Sequence, residues 1–132
     1  NDNKDIAIVF NGEIYNYLEL IKFLLNKKVK LITNSDTEVL LQYYKIYGEQ
    51  CVEHFEGMWS FAIYNIKKQE LFLSRDRFAE KPLYYYRDKN GIYFGSEIKF
   101  IKSLANHNFR RLCINMFLFR PSSQIGSLTL KA

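Results

Sequence analysis

The stretch FNGEIYNYLEL, residues 10–20, decides how the fold begins. An Asn-Gly pair between apolar runs is the strongest short-range signal for a two-residue β-hairpin. The residues that follow do not alternate as a returning strand would. Their apolar side chains recur at three- and four-residue steps, the period of an amphipathic helix: Ile14, Tyr17, Leu18, Ile21, Leu24 and Leu25. The sequence therefore predicts a buried strand over residues 6–10, a corner at Asn11-Gly12-Glu13, and a helix over residues 14–25.

Composition and charge narrow the class of protein. The 132 residues are 48% hydrophobic and 17% aromatic, which is typical of a globular domain. The net charge of +5 comes from basic residues spread between acidic ones, so no nucleic-acid-binding stripe is indicated. No apolar run reaches the roughly 18 residues of a membrane span. Cys51 and Cys113 lack the paired spacing of a disulfide or zinc site. We therefore expect a cytoplasmic domain that binds no metal, nucleic acid or membrane.

Capping signals delimit the next elements. Val29 to Thr33 is predicted to be a short strand. Ser35 and Glu38 form a capping-box pattern that opens a second helix, and this helix should end at Gly48. A short helical piece around residues 51–55 is predicted to follow.

The second half of the chain has the alternation of strands. Four short strands are predicted, joined by three short turns into one antiparallel meander: residues 58–66, 70–76, 82–87 and 92–97. A helix follows over residues 98–104. This order gives an α+β domain over residues 1–104. Residues 105–132 are predicted to be an irregular tail or the start of a linker to a further domain.

Five stretches occur in a fixed order: FNGEIYNYLEL, NSDTEVLL, FEGMWSFAIYN, LFLSRDRFAEKPLYYY and FGSEIKFI. Together they resemble the glutaminase domain of glutamine-hydrolysing asparagine synthetases, which are class II glutamine amidotransferases. The resemblance implies a partial α-β-β-α sandwich of the N-terminal-nucleophile hydrolase type. It also implies the reaction of that family, in which glutamine is hydrolysed to glutamate and ammonia for the ATP-dependent amidation of aspartate.

The resemblance assigns the site residues. In such domains a cysteine thiolate attacks the side-chain amide of glutamine, and negative charge develops on the amide oxygen. Asn11 offers its side-chain NH2 to that oxygen and Gly12 its backbone N–H, so these two are the predicted catalytic residues. Asp36, with Glu13 beside it, is predicted to bind the α-ammonium group of glutamine.

Structural roles remain open for the same residues. Asn11-Gly12 could be only a tight turn, and Asp36 only a helix-capping residue. Other polar residues are predicted to be structural or without a role in the site: Arg75 and Asp76 as an ion pair or turn device, Glu97 and Lys99, His54 and His107, and Cys51 as a buried thiol.

The sequence departs from the family pattern in three respects. Residue 1 is Asn, whereas the nucleophile of the family is a cysteine at the mature N-terminus. The early segment whose arginine holds the glutamine carboxylate is also missing, as is any glycine-rich phosphate loop. We therefore expect an internal fragment that is inactive alone, holds no cofactor, and has an unpaired sheet edge that lowers its solubility. ATP and Mg²⁺ are expected in a synthetase domain, the intramolecular partner, and a homodimer is compatible with the resemblance.

One substitution bears on stability. Ala79 stands where the RDRFGEKP turn usually has glycine. If this position has a positive φ, alanine costs about 1 kcal/mol.

Two other functions remain compatible with the sequence. One is a non-catalytic scaffold of the β-lactam synthetase type, which keeps the fold without the cysteine. The other is a different class II amidotransferase, such as one that makes glucosamine phosphate or a purine precursor.

Overall fold

The computed structural model describes residues 5–89, 91–105 and 116–119. The elements, in chain order, are β1 (Ile6–Ile14), α1 (Tyr17–Asn26), α2 (Asp36–Tyr47), a 3-10 helix (Gly48–His54), β2 (Gly57–Asn65), β3 (Glu70–Arg75), β4 (Tyr84–Asp88), β5 (Gly91–Gly95), α3 (Ile98–Ala105) and β6 (Met116–Phe119).

The first corner lies later in the chain than predicted. β1 continues through Asn11-Gly12-Glu13 and pairs with β2 in an unbroken antiparallel register, from Ile6 opposite Asn65 to Ile14 opposite Gly57. The placement of Asn11-Gly12-Glu13 at a strand-to-helix corner was therefore wrong, because pairing with β2 extends the strand through them. The corner is held instead by the Asn16 side chain, which donates to the His54 carbonyl at 3.0 Å and accepts the Glu56 N–H at 3.1 Å.

The second helix has the predicted limits. The Ser35 hydroxyl accepts the Glu38 N–H at 3.2 Å, and the helix ends at Gly48, whose φ of 61° suits glycine. The strand predicted from Val29 to Thr33 is not formed. The N–H groups of Ile32 and Thr33 donate to the Glu38 carboxylate, which gives this segment a partner other than a neighbouring strand.

The strands form two sheets where the sequence predicted one meander. The larger sheet has the order β1-β2-β3-β6 with antiparallel neighbours, and β4 pairs with β5 in a separate hairpin. The prediction of a continuous meander was wrong between β3 and β4, because the chain leaves the first sheet at Asp76. β6 lies in the segment predicted to be an irregular tail, and it pairs with β3.

Alternating side chains of the larger sheet build two apolar layers. Phe61, Ile63 and Phe72 pack with α1 and α2 on one face. Ala62 and Leu73 lie on the other face, with Leu83 just before β4 and Tyr85 within it. α3 contacts β4 and β5, and its Ile101 is fully buried. The order of layers is helix, sheet, sheet, helix, so the predicted α+β, α-β-β-α sandwich is confirmed.

No helix in the described part of the chain is both long enough and apolar enough to cross a membrane.

Candidate functional site

Asn11 lies on the edge strand β1, with its side chain exposed. Strand alternation places Asn11 and Glu13 on one face and Gly12 and Ile14 on the other. The Nδ2 atom of Asn11 donates to the hydroxyl of Ser96 at 3.4 Å. Ser96 lies between β5 and α3, so this hydrogen bond joins the edge of one sheet to the end of the other. Ser96 was not among the predicted site residues, although it stands in the motif FGSEIKFI.

The backbone of Gly12 faces the open side of β1. In an antiparallel strand the N–H groups of alternate residues point to opposite sides. The Tyr15 N–H donates to Glu56 next to β2, whereas the Ile14 N–H donates away from β2, to Asp36. Because the register is unbroken, Gly12 shares the direction of Ile14. Its N–H therefore points away from β2, where a ligand could receive it.

Gly12 also has a structural role, because its conformation and its surroundings exclude a side chain. Its φ is +148°, a conformation that favours glycine. A Cβ atom at this position would lie 2.7 Å from the Trp59 Cα and closer still to the Met58 carbonyl. The close approach of β1 and β2 therefore requires glycine here, whether or not Gly12 acts in catalysis.

Asp36 is brought to β1 by the start of α2. It is the first residue of that helix, and its Oδ2 atom accepts the backbone N–H of Ile14 at 3.4 Å. Glu13 is the neighbour of Ile14 and is exposed. The fold thus gathers all four residues of the predicted site at the second half of β1, although Asp36 is 22 positions from Ile14 in sequence. Their predicted roles stay predictions.

Asp76 is a turn device, one of the two structural roles predicted for Arg75 and Asp76. Its carboxylate is 1% exposed and accepts four backbone N–H groups at 3.0 to 3.3 Å: those of Trp59, Phe78, Glu80 and Lys81. Burial alone would raise the pKa of this carboxyl group, but the hydrogen bonds, led by that from Lys81, outweigh burial and lower the pKa. Asp76 therefore fixes the connection between the two sheets.

Cys51 is a buried thiol, as predicted. Its side chain is fully buried, and burial raises the pKa of the thiol to about 12. A thiol with such a pKa holds almost no thiolate at neutral pH, so Cys51 is unsuited to nucleophilic attack. His54 packs its ring 4.5 Å from that of Tyr47 and 5.5 Å from that of Tyr43. Cys113 and His107 lie outside the described residues.

Two cavities adjoin α2 in the described part of the chain, and the second is lined in part by Ser35 and Thr37, the sequence neighbours of Asp36. One of about 530 Å³ is lined by residues near the end of α2, among them Tyr44, Gly48 and Glu49. Another of about 600 Å³ is lined by Ile8, Thr33 and other residues before and within α2. Within residues 5–89, 91–105 and 116–119, no cluster of three or more His, Cys, Asp or Glu side chains could hold a metal ion.

The helix, sheet, sheet, helix order of layers is shared with a solved amidotransferase structure. A glutamine phosphoribosylpyrophosphate amidotransferase from B. subtilis has a similar structure, with a TM-score of 0.73. The similarity covers 88% of this chain and 27% of that one, at 20% sequence identity, and it shows the fold alone. The profile of the glutamine amidotransferase domain family matches residues 1–125, so the chain belongs to that family.

Particular relatives are asparagine synthetases. The chain is 50% identical over 108 residues to a putative glutamine-hydrolysing asparagine synthetase 2 from Methanocaldococcus jannaschii, covering 81% of this chain and 20% of that protein. It is 44% identical over 99 residues to asparagine synthetase 1 from Bacillus subtilis, covering 75% of this chain and 16% of that protein. The chain thus spans a fifth or less of the length of these relatives. The predicted resemblance is confirmed.

Proposed function

We propose that this chain belongs to the glutaminase part of a glutamine-hydrolysing asparagine synthetase. Glutamine would be hydrolysed to glutamate and ammonia, and the ammonia would amidate aspartate in an ATP-dependent synthetase domain. A cytoplasmic location is part of the same proposal. The observation that carries it is the gathering of Asn11, Gly12 and Asp36 on one strand edge, in a chain that belongs to the amidotransferase family.

The first step needs stabilisation of a developing oxyanion. When a thiolate adds to the amide carbon of glutamine, the carbonyl oxygen gains negative charge. The Nδ2 atom of Asn11 retains one hydrogen beyond the one it donates to Ser96, and the Gly12 N–H points away from β2. Two fixed donors would stabilise this charge, and loss of one typically costs about 10²- to 10³-fold in kcat.

The spacing along β1 suits a bound glutamine. Gly12 and Ile14 are two residues apart, a distance of about 7 Å along a strand. In glutamine, four bonds of about 1.5 Å each separate the α-nitrogen from the amide carbon. Four such bonds span about 5 Å when extended, so a glutamine that lies along β1 with its ammonium group at Asp36 would point its amide toward the Gly12 N–H. The exposed Glu13 carboxylate adds negative charge beside the ammonium group.

Other groups of the reaction would come from elsewhere in the protein. Cys51 cannot supply the thiolate because it is buried and its pKa is raised to about 12. ATP and Mg²⁺ belong, on this proposal, to the synthetase domain. The described residues offer no carboxylate cluster that fits Mg²⁺, so no step here is assigned to either group.

The experiment compares two nitrogen donors in the full-length protein that carries this chain. Asn11→Ala should lower glutamine-dependent asparagine formation by about 10²- to 10³-fold through kcat. Asparagine formation from added ammonia should stay unchanged, since it bypasses the glutaminase step. Asp36→Asn should mainly raise the KM for glutamine. Equal loss with both nitrogen donors would contradict the proposal, as would a wild-type protein that does not hydrolyse glutamine.

A non-catalytic scaffold would account equally well for Gly12. The backbones of Met58 and Trp59 leave no space for a Cβ at Gly12, so a scaffold would need this glycine for packing alone. The presence of Gly12 therefore does not discriminate between the two functions. Isothermal titration of the full-length protein with glutamine does, because a scaffold should show no binding.

A further inference from the structure

The hydrogen bond between Asn11 and Ser96 links residues that are 85 positions apart. Asn11 lies on the edge of the larger sheet, and Ser96 follows the last strand of the smaller one. Glu97, not Ser96, directly precedes the first residue of α3, and its carbonyl accepts the Ile101 N–H at 3.4 Å. Among the described residues, the hydroxyl of Ser96 has Asn11 as its hydrogen-bond partner.

An asparagine amide has two ends with opposite properties. Its oxygen only accepts hydrogen bonds, and its nitrogen donates two. An oxyanion is stabilised only if the nitrogen end faces it. Asn11 is exposed, so burial does not hold its side chain, and free rotation about the last side-chain bond would present the oxygen part of the time. Some neighbouring group must select the orientation.

We propose that Ser96 is a positioning residue for the oxyanion donor of Asn11. Its hydroxyl oxygen accepts one Nδ2 hydrogen and leaves the other for the glutamine oxyanion. The inference rests on the proposed glutaminase function and deepens it, since it names a group that acts on the reaction through Asn11 and does not touch the substrate.

The test uses serine variants in the full-length protein, with initial rates of glutamate release from glutamine. Ser96→Ala should lower kcat about three- to tenfold, the effect of one neutral hydrogen bond, with KM for glutamine unchanged. Ser96→Thr keeps the hydroxyl and should restore most of kcat. Ser103→Ala is the matched control: its hydroxyl bonds to the Phe100 carbonyl at 2.7 Å within α3, and its loss should leave kcat unchanged.

A double-mutant comparison separates positioning from stability. If Ser96 acts through Asn11, Ser96→Ala should have no further effect on kcat when Asn11 is already Ala. Multiplicative losses would overturn the inference, and so would a loss in Ser96→Ala that Ser96→Thr does not restore. If Asn11→Ala abolishes glutaminase activity while Ser96→Ala changes nothing, the positioning role fails and the proposed function stands. If the wild-type protein hydrolyses no glutamine, the proposed function itself fails.

Discussion

Replacement of Asp76 by asparagine should strongly destabilise the protein. Each carboxylate oxygen accepts two backbone N–H groups: Oδ1 accepts those of Phe78 and Glu80, and Oδ2 accepts those of Trp59 and Lys81. An asparagine amide has a single acceptor oxygen, so one pair would face an NH2 group that cannot accept. Each N–H left without an acceptor in this part-buried turn costs about 1 to 3 kcal/mol. We therefore expect a loss of about 4 kcal/mol.

Urea unfolding followed by tryptophan fluorescence measures this loss directly, since Trp59 lies against the turn. With a slope near 2 kcal/mol per molar urea, the midpoint should fall by about 2 M. Glu38→Gln is the matched control. The Glu38 carboxylate also accepts the backbone N–H groups of two residues, but in a more exposed place where water can replace it, so we expect a loss of about 1 kcal/mol or less. A loss below about 1 kcal/mol in Asp76→Asn would refute the reasoning.

The Asp76 carboxylate should also make the free energy of unfolding depend on pH. Its pKa in the folded protein is lowered relative to the unfolded chain, where an Asp titrates near a pKa of about 3.9. A lowered pKa means that the stabilisation is fully present above that unfolded pKa and is lost as pH falls through the lowered folded pKa. The difference in unfolding free energy between the wild type and Asp76→Asn should therefore shrink below about pH 4. A difference that stays constant from pH 6 to pH 3 would contradict this assignment.

Three further predictions concern single residues. Ala79 has a φ of 58°, so Ala79→Gly should relieve strain and raise the unfolding free energy by about 0.5 to 1 kcal/mol, whereas Ala7→Gly in β1 should lower it; a gain at both sites would point to some other cause. Gly57→Ala should lower the free energy of unfolding, measured in urea, by at least about 2 kcal/mol, because φ is +143° and a Cβ would lie 3.2 Å from the Ile14 Cα. An unchanged free energy of unfolding would show that β1 and β2 can move apart to accept the methyl group. Cys51 should react with a thiol reagent only after unfolding, and rapid labelling of the native protein would contradict its burial.

Local signals in the sequence determined several elements. The limits of the second helix could be predicted well, because the Ser35 cap and the glycine at position 48 act on residues close to them in the sequence. β2 and β3 were placed near their observed positions by their apolar character, and the helix after residue 97 by its period. The ordered motifs also indicated the family, since they preserve residue types and spacing along the chain.

Tertiary structure decided how these elements are used. Asn11-Gly12 has the sequence of a turn, but nine paired residues of β2 keep it extended, and local propensity cannot anticipate a partner more than 40 residues away. The break of the meander depends on Asp76, whose acceptors are filled by N–H groups from both sides of the turn. Ser96 meets Asn11 only because two sheets pack face to face. The sequence determines which chemical groups are present, and long-range strand pairing and the packing of the two sheets determine which of them come into contact.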